Sequence, residues 1–291
     1  MKWPLFIVEP SVADLARRYY PELEIVETDL WKMVLPRNLV ACDPYPLLQQ
    51  VFSPEQLSGR RFFWLPHGNS DKDSFTEGMF QTEIPLVYGN QMIERLKKKG
   101  IEAPYIRIGN FRLSYYREHQ RFYEGLLSQY KNGRNILYAP TWDDREKGNS
   151  FWTAFPTLAE QINDRLLVKI HPNTPAKYLA ELTTLEARYA KRKNIVFLEE
   201  FPPIYPLLEI SAIYIGDTSS IGYDFLSFNR PMLFLNSDDR PLNRCGKTVA
   251  PHEISSYLEQ PGVAHEKFYY EAFDRVDDWE PIRKTIEAML L

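Results

Sequence analysis

The sequence predicts an α/β fold made of two Rossmann-like domains that face each other across a cleft. Short apolar runs alternate with longer helical patterns along the whole chain, as expected for βαβ units with a parallel sheet. This rhythm occurs twice, once on each side of a turn-rich segment at residues 131–135. Such short, apolar runs are typical of parallel strands covered by helices on both faces. Two similar halves imply a cleft between them, where α/β proteins bind ligands.

The first half contains five predicted strands, separated mostly by helical patterns. They cover residues 5–8, 39–42, 61–65, 86–88 and 105–108. The clearest helix covers residues 91–99, where three apolar residues share one face and Gly100 follows the last turn. A polar helical stretch then leads into the turn-rich segment, which sets the end of the first domain at residue 133.

The second half repeats the pattern with five further strands. They cover residues 136–139, 166–170, 195–198, 212–215 and 232–235. A closing amphipathic helix is predicted at residues 279–291, because apolar residues recur there at helical spacing. We therefore expect one domain over residues 1–133 and a second over residues 134–291, with the closing helix able to pack back on the first domain.

The composition excludes several classes of protein. The chain has 291 residues, 44% of them hydrophobic and 25% charged, which is the balance of a globular protein with a substantial core. Lys and Arg number 35 and Asp and Glu 39, so the net charge of −4 argues against a nucleic-acid partner. Cys42 and Cys245 are too few and too far apart for a disulfide framework or a cysteine-rich metal site. Because no signal peptide and no run of ~18 apolar residues occurs, we expect a cytoplasmic protein.

Motif spacing excludes further chemistries. No G-x-G-x-x-G follows a strand, so the fingerprint of NAD and flavin enzymes is missing. The Gly-Lys-Thr run at residues 246–248 is not a phosphate-binding loop, because Pro241 stands where its first glycine belongs. No H-E-x-x-H occurs and the histidines lack metal-ligand spacing, so we expect no structural zinc. An Asp-x-Asp match at residues 71–73 carries little weight, since so short a pattern arises easily by chance.

Four polar segments remain, each directly after a predicted strand, where α/β sheets place ligands. The first presents His67 beside Gly68, with Lys72 shortly after. An imidazole titrates near neutral pH and could take a proton from a hydroxyl, while the lysine could face a phosphate. The alternative is a loop histidine that bonds a backbone carbonyl.

The second and third segments follow the strands predicted at residues 136–139 and 166–170. Pro140 and Thr141 break a strand and present a hydroxyl and backbone groups at the cleft. His171 ends another strand, and the proline after it stops the ladder, which indicates a placed imidazole. The alternative is that His171 only caps neighbouring backbone groups.

The fourth segment turns from a strand into a helix through four small polar residues, 217–220. Free backbone N–H groups and the positive end of a helix dipole would meet there, flanked by the hydroxyls of Ser219 and Ser220, as in a phosphate or pyrophosphate site. Asp224 would lie about one turn into the helix, where a carboxylate can accept ribose hydroxyls. The alternative is an ordinary helix cap, since Asp, Thr and Ser are preferred capping residues.

Taken in this order, these segments make the chain similar to the CDP-glycerol glycerophosphotransferases, which prime and polymerise teichoic acids and related capsule polymers. The resemblance covers roughly residues 60–240 and implies a two-domain GT-B-like fold with the acceptor at the first domain and the nucleotide donor at the second. The residues that carry it are His67-Gly68 with Lys72, residues 137–142 (Leu-Tyr-Ala-Pro-Thr-Trp), residues 169–172 (Lys-Ile-His-Pro), residues 217–220 with Asp224, and residues 230–234 (Arg-Pro-Met-Leu-Phe).

The resemblance also implies roles for individual residues. His67 would be the base on the acceptor hydroxyl, and His171 would stabilise the diphosphate and the departing CMP. It further implies Pro140 and Thr141 on the nucleotide, Arg112, Ser219 and Ser220 on phosphate, and Asp224 on the ribose. Gly68, Lys72 and Lys169 are the other ligand-binding residues that it implies. No metal and no bound cofactor are expected.

The expected function is transfer of glycerol phosphate, or a related phospho-polyol, from CDP-glycerol or a similar nucleotide diphosphate. The acceptor would be a hydroxyl of a polyol phosphate, glycan or lipid-linked molecule, with weak contact to the inner face of the plasma membrane. Three alternatives stay open. They are a nucleotide-sugar glycosyltransferase or UDP-sugar epimerase on the same fold, a catalytically silent binding module, and, more distantly, a serine hydrolase.

Overall fold

The computed structural model describes residues 4–29, 33–72, 83–143, 148–199, 201–235, 240–259, 264–276 and 278–290. The chain divides into two compact units. Unit 1 consists of Met1–Asn69, Asp73–Phe111 and Tyr270–Leu291, and unit 2 of Ser70–Lys72 and Arg112–Tyr269. Each unit contains a parallel β-sheet with helices between its strands, so the predicted α/β class is confirmed.

Unit 1 is built around the four-stranded parallel sheet β3-β4-β5-β6, and β1 and β2 form a separate parallel pair. All five predicted strands are present. The additional strand, β2, is three residues long and pairs with β1. The elements are β1 (Leu5–Ile7), α1 (Pro10–Tyr19), β2 (Ile25–Glu27), β3 (Asn38–Ala41), α2 (Tyr45–Val51), α3 (Pro54–Leu57), β4 (Arg61–Trp64), β5 (Glu83–Val87), α4 (Asn90–Lys98) and β6 (Ile106–Arg107).

Local sequence explains where the helices of unit 1 begin and end. Helix α3 starts with a capping box, in which Ser53 accepts from the Gln56 amide and the Gln56 side chain accepts from the Ser53 amide. Helix α4 confirms the prediction for residues 91–99, and its three apolar residues are buried. Gly100 follows with φ +68°, a conformation that glycine adopts without strain.

Unit 2 contains a six-stranded parallel sheet in the order β12-β11-β10-β7-β8-β9. The five predicted strands are again present, and β12 is an additional two-residue edge strand. Short 3₁₀ turns lie at Ser128–Tyr130, Leu226–Phe228, Pro241–Cys245 and Pro251–Glu253. The elements are α5 (Phe111–Glu118), α6 (Gln120–Leu126), β7 (Asn135–Ala139), α7 (Phe151–Gln161), β8 (Arg165–Lys169), α8 (Asn173–Tyr189), β9 (Ile195–Leu198), α9 (Tyr205–Ile210), β10 (Ser211–Gly216), α10 (Ile221–Phe225), β11 (Met232–Phe234), β12 (Lys247–Thr248) and α11 (Ile254–Tyr257). Helix α12 (Glu266–Phe273) crosses the division, since its residues from Tyr270 onward belong to unit 1.

The central strands of this sheet are almost entirely buried, as their unbroken apolar runs require. One aromatic cluster covers them, with Phe155 in contact with the rings of Tyr189 and Phe197. The close fit also explains one glycine. A Cβ at Gly216 would lie 2.0 Å from the hydroxyl of Tyr214, two positions earlier on the same face of β10.

The division between the units differs from the predicted boundary at 133/134. The structure divides the chain at Phe111/Arg112, because α5 and α6 belong to unit 2. The ring of Tyr116 stacks on that of Tyr205 with centroids 6.2 Å apart, and its hydroxyl donates to Glu209. From its sequence, a polar helical stretch could belong to the domain before it or to the domain after it. The contacts of Tyr116 with α9 place it in unit 2.

The C-terminal segment returns to unit 1 and ends in helix α13 (Glu280–Leu290), within the predicted closing helix. Its path is close to the chain after β5, since a Cβ at Gly89 would lie 2.7 Å from the carbonyl oxygen of Ala272. The ring of Phe273 packs edge-on against that of Tyr88, and Arg107 donates to Asp274 at 2.7 Å. The C-terminal segment therefore packs within unit 1.

His265 is a buried histidine of unit 2 that stands before α12. It is 2% exposed, and its Nε2 donates to the carbonyl oxygen of Arg230 at 3.2 Å. Its backbone amide donates to the Asn229 side chain at 2.7 Å, and its Nδ1 has no hydrogen-bond partner among the described residues. Burial lowers the pKa of His265, although the bond to the carbonyl opposes this.

We predict that His265 makes unit 2 less stable in mild acid. Because its pKa is lower in the folded than in the unfolded chain, its contribution is intact above about pH 6.5 and is lost as the pH falls. The free energy of unfolding should decline by up to about 1.4 kcal/mol per pH unit from this one proton. Denaturant midpoints between pH 7.5 and 5 should show a shallower decline in His265→Gln. Replacing the exposed His252 by Gln should keep the wild-type slope, and an unchanged slope in His265→Gln would contradict the prediction.

Candidate active site at the carboxyl edge of the unit 2 sheet

The candidate site lies where the strand order of the unit 2 sheet reverses. From β7 the chain continues through β8 and β9 on one side, and from β10 through β11 and β12 on the other. Strands β7 and β10 are neighbours, and their last paired residues are Ala139 and Gly216. The loops that follow them leave the same edge side by side. Ligands of open α/β sheets bind at such a reversal point, and the predicted residues Pro140, Thr141 and Ser219 follow directly.

The buried carboxylate of Asp217 joins these loops. It is 1% exposed, and one of its oxygens accepts from the backbone N–H of Thr141 at 2.7 Å. The other accepts from the backbone N–H and the hydroxyl of Ser150, at 2.8 and 2.7 Å. Burial raises the pKa of Asp217 to about 6 even though all three hydrogen bonds lower it. One carboxylate thus ties the end of β10 to the loop after β7 and to the start of α7.

The segment Ser70–Lys72 is part of unit 2 and brings a predicted cation to the same loops. The Lys72 ammonium donates to the Thr141 hydroxyl at 2.8 Å. Asp71 accepts from the Tyr223 hydroxyl and, at 3.1 Å, from the Leu242 amide. Lys72 therefore lies at the reversal point, with the segment fixed by the residue before it.

His67 and Gly68 lie in unit 1, in the loop after β4. The side chain of His67 is exposed, while the backbone on both sides is anchored. Tyr88 donates to the carbonyl oxygen of Pro66 at 2.5 Å, and Asn69 donates to that of Ala272 at 3.1 Å. The role of His67 as a base remains a prediction.

Strand β8 delivers Lys169 and His171 to the edge next to β7. The Lys169 ammonium is buried and donates to the carbonyl oxygen of Ile170 at 3.2 Å. Burial lowers its pKa to about 8, with Glu199 acting in the opposite direction. The amine therefore stays mostly protonated at neutral pH and adds positive charge to this edge.

The imidazole of His171 is held in one tautomer. Its Nδ1 accepts from the backbone N–H of Asn173 at 3.1 Å. Because an amide can only donate, Nδ1 carries no proton, and the neutral ring must carry its proton on Nε2. The ring of Trp142 stacks on the imidazole with centroids 5.9 Å apart and planes inclined by 24°. His171 thus presents an N–H donor, which is what a phosphate oxygen requires.

At the start of α10 the predicted phosphate site coincides with a partly satisfied helix end. Ser219 is buried, Ser220 is half-buried, and the Ser219 hydroxyl accepts from the Ile221 amide at 3.4 Å. Ser219 therefore satisfies one amide of the helix start, whereas Ser220, the N-cap residue, makes no side-chain cap hydrogen bond among the described residues. The phosphate roles of the two serines stay predictions.

Arg112 and Asp224, which the resemblance assigns to separate ligand groups, form an ion pair in unit 2. An Arg112 N–H donates to Asp224 Oδ1 at 2.7 Å, and the Tyr205 hydroxyl donates to the same oxygen at 2.9 Å. Asp224 has no exposed surface, and its Oδ2 has no hydrogen-bond partner among the described residues. Burial raises the pKa of Asp224, while Arg112 and Tyr205 lower it. The predicted ribose and phosphate ligands are here partners of each other.

Two residues of this edge escaped the sequence analysis as individual site residues. Aspartate is a preferred helix-capping residue, so the sequence alone suggests a cap at Asp217. Only the burial of its side chain shows that it instead connects two loops. Trp142 follows β7 and stacks on His171, which follows the neighbouring strand β8. No spacing of residues in the sequence predicts that contact. The weak signal for both was their position directly after a buried strand.

Two general properties of the described residues complete the description. No group of three or more His, Cys, Asp and Glu side chains in the described ranges could hold a metal ion. Asp73 of the Asp-x-Asp match lies outside those ranges. No helix in the described part of the chain is long and apolar enough to cross a membrane.

Comparison with known families identifies the segment that contains most of this edge. Residues 117–244 match the model of the family described as CDP-Glycerol:Poly(glycerophosphate) glycerophosphotransferase. This match confirms the resemblance, and with it the expectation of a transferase. No curated protein matches the sequence significantly.

Solved structures show the same fold over nearly the whole chain. A variant of the wall teichoic acid polymerase TagF soaked with CDPG has a TM-score of 0.62 at 16% identity, covering 100% of this chain and 88% of that chain. The S. aureus MnaA-UDP co-structure has a TM-score of 0.58 at 12% identity, covering 97% and 86%. UDP-GlcNAc 2-epimerase from Methanocaldococcus jannaschii has a TM-score of 0.54 at 12% identity, covering 87% and 77%. The predicted GT-B-like fold of two Rossmann-like domains is thereby confirmed.

We predict that Asp217 holds the two loops in place. In Asp217→Ala, the amides of Thr141 and Ser150 lose a buried acceptor. Their hydrogen exchange should become about 10- to 100-fold faster, corresponding to about 1–3 kcal/mol for a buried donor left unpaired. Asp164→Ala, at the opposite end of the same sheet, should leave both rates unchanged. Equal exchange in wild type and Asp217→Ala would show that other groups hold these loops.

Proposed function

We propose that the protein, whose residues 117–244 match the glycerophosphotransferase family, transfers glycerol phosphate or a related phospho-polyol from a CDP-linked donor. The acceptor is a hydroxyl of a lipid-linked or oligosaccharide molecule in the synthesis of a cell-envelope polymer. The reaction needs no bound cofactor and no metal. The protein works in the cytoplasm, with weak contact to the inner face of the plasma membrane.

One observation carries the proposal. The matched segment contains the reversal point of the sheet, and with it Thr141, His171, Ser219 and Ser220. A family match that coincides with the place where α/β sheets bind ligands supports a donor site there. The likeness to TagF soaked with CDPG supports the same donor.

The chemistry is an in-line displacement at the donor's β-phosphorus. The acceptor oxygen bonds to that phosphorus, the bond to the bridging oxygen breaks, and CMP leaves with the electron pair. His67 takes the acceptor proton. His171 donates from Nε2 to the diphosphate as negative charge grows on the departing CMP. Phosphoryl transfer depends mainly on positioning and charge stabilisation and needs little covalent help from the protein.

The positive charges of the edge fit a diphosphate donor. Lys72 lies on the Thr141 hydroxyl, and Lys169 lies at the end of the neighbouring strand. Ser219 and Ser220 add hydroxyls and backbone N–H groups at the end of β10. The acceptor side depends on His67, which is outside the matched segment and rests on the resemblance alone.

A second candidate is supported by a specific observation. The UDP co-structure of MnaA covers 97% of this chain with a TM-score of 0.58, only slightly below that of TagF. A uridine donor would make the protein a glycosyltransferase or an epimerase on the same fold. The nucleotide base therefore distinguishes the two candidates.

The first experiment is thermal unfolding of the purified protein with CDP-glycerol, CMP, UDP and UDP-sugars. A ligand at ~100 times its dissociation constant should stabilise the folded state by ~2.7 kcal/mol. We expect cytidine ligands to raise the melting temperature and uridine ligands to leave it unchanged. The reverse result would favour the second candidate, and no shift with any ligand would favour a catalytically silent module.

The second experiment tests the proposed base. His67→Ala should lose transfer by about 10²–10⁴-fold, the usual contribution of a general base, while donor affinity stays near the wild-type value. Release of CMP measures transfer, and calorimetry measures donor binding. His252→Ala, which removes another exposed histidine, should transfer at the wild-type rate. Full transfer by His67→Ala would remove the residue from the mechanism.

A further inference from the structure

A cluster at the start of α8 has no role in the mechanism above. Asp143 follows the stacked Trp142, and one of its carboxylate oxygens accepts two hydrogen bonds. The Lys177 ammonium donates to it at 2.8 Å and the Tyr178 hydroxyl at 2.7 Å. The bond to Asp143 raises the pKa of Lys177, and its ammonium also lies 5.0 Å from the centroid of the Tyr178 ring. The three side chains therefore form one connected unit.

The shape of α8 makes this arrangement possible. Consecutive residues of a regular helix point about 100° apart, so neighbours do not face one partner together. Helix α8 is interrupted at Tyr178, where φ is −136° and ψ is 42°. The ring of Tyr178 packs edge-on against Trp152 of α7, with centroids 5.6 Å apart. The interruption allows Lys177 and Tyr178 to hold the same oxygen.

The cluster is linked to His171 from two directions. Helix α8 begins at Asn173, whose amide fixes Nδ1 of the imidazole. Asp143, which accepts from Lys177 and Tyr178, directly follows Trp142, whose indole stacks on the imidazole. One contact sets which nitrogen bears the proton, and the other sets the plane of the ring. Together they define the direction in which the Nε2 proton points.

We propose that Trp142 and Asp143 are positioning residues for His171, with Lys177 and Tyr178 anchoring Asp143. This inference rests on the proposed function, in which His171 donates to the donor diphosphate. A hydrogen bond to the departing group is worth most when its direction is fixed before the reaction, and a displacement of 1 Å can cost about 10²-fold in rate. The stack is the part of this arrangement that a point mutation can remove without touching His171.

The test combines a spectroscopic and a kinetic measurement. In donor-free protein, the carbon-bound ring protons of His171, assigned with His171→Gln, should carry the ring-current shift of Trp142. Trp142→Leu should abolish that shift and lower kcat for CDP-glycerol by about 10- to 100-fold, with KM for the donor little changed. Trp142→Phe keeps an aromatic face and should restore most of both signals.

The anchoring residues are tested with conservative changes. Tyr178→Phe keeps the ring on Trp152 but loses the bond to Asp143, and it should move the His171 resonances and kcat in the same direction as Trp142→Leu, by a smaller amount. Tyr189→Phe removes a hydroxyl from the same helix and should match the wild type. The inference is overturned if Trp142→Leu leaves the His171 resonances in place, or if they move while kcat stays unchanged. A wild type that transfers nothing from CDP-glycerol refutes the proposed function, and the resonances then decide separately whether the stack holds the ring.

Discussion

The buried carboxylate of Asp217 is the constraint on which the edge of the unit 2 sheet depends. A carboxylate removed from water must find donors, and Asp217 finds three, on Thr141 and Ser150. Those donors belong to the two ends of the connection between β7 and α7. The cost of burial is visible in the raised pKa, which the hydrogen bonds offset only in part. The Asp217 carboxylate loses its hydration on burial, and its hydrogen bonds hold Thr141 and Ser150 in place.

The same kind of interaction recurs in unit 2, where side-chain carboxylates accept hydrogen bonds from segments that are distant in sequence. Asp224 accepts from Arg112 and Tyr205, and Asp71 accepts from Tyr223 and an amide near the following 3₁₀ turn. Many of the donors are tyrosine hydroxyls, whose rings pack in the core while the oxygen reaches a carboxylate. The aromatic residues, which make up 14% of the chain, therefore supply hydrogen-bond donors to buried carboxylates as well as apolar packing.

Sequence reasoning succeeded where the information was local. Ten of the twelve strands in the described residues could be located because an apolar run is followed by polar residues, and parallel strands bring such ends to one edge. It could not find the pairing of Arg112 with Asp224, which are 112 positions apart, or the stack of Trp142 on His171. The extent of unit 2 differs from the prediction for the same reason, since contacts of α5 and α6 with α9 assign the polar helices to it. Which side chains contact each other across the fold depends on packing, and packing cannot be read from a single sequence.

The three-residue segment Ser70–Lys72 has a consequence for the modularity of the chain. Because it belongs to unit 2 while its neighbours on both sides belong to unit 1, neither unit is one continuous stretch of sequence. A gene fragment encoding residues 112–269 alone would omit the lysine that bonds Thr141 and the aspartate that bonds Tyr223. If two related genes recombined at residue 111, the product would carry Ser70–Lys72 from one parent and the loops that this segment contacts from the other. Exchange of these loops between such proteins therefore requires two separate stretches of sequence to be inherited together.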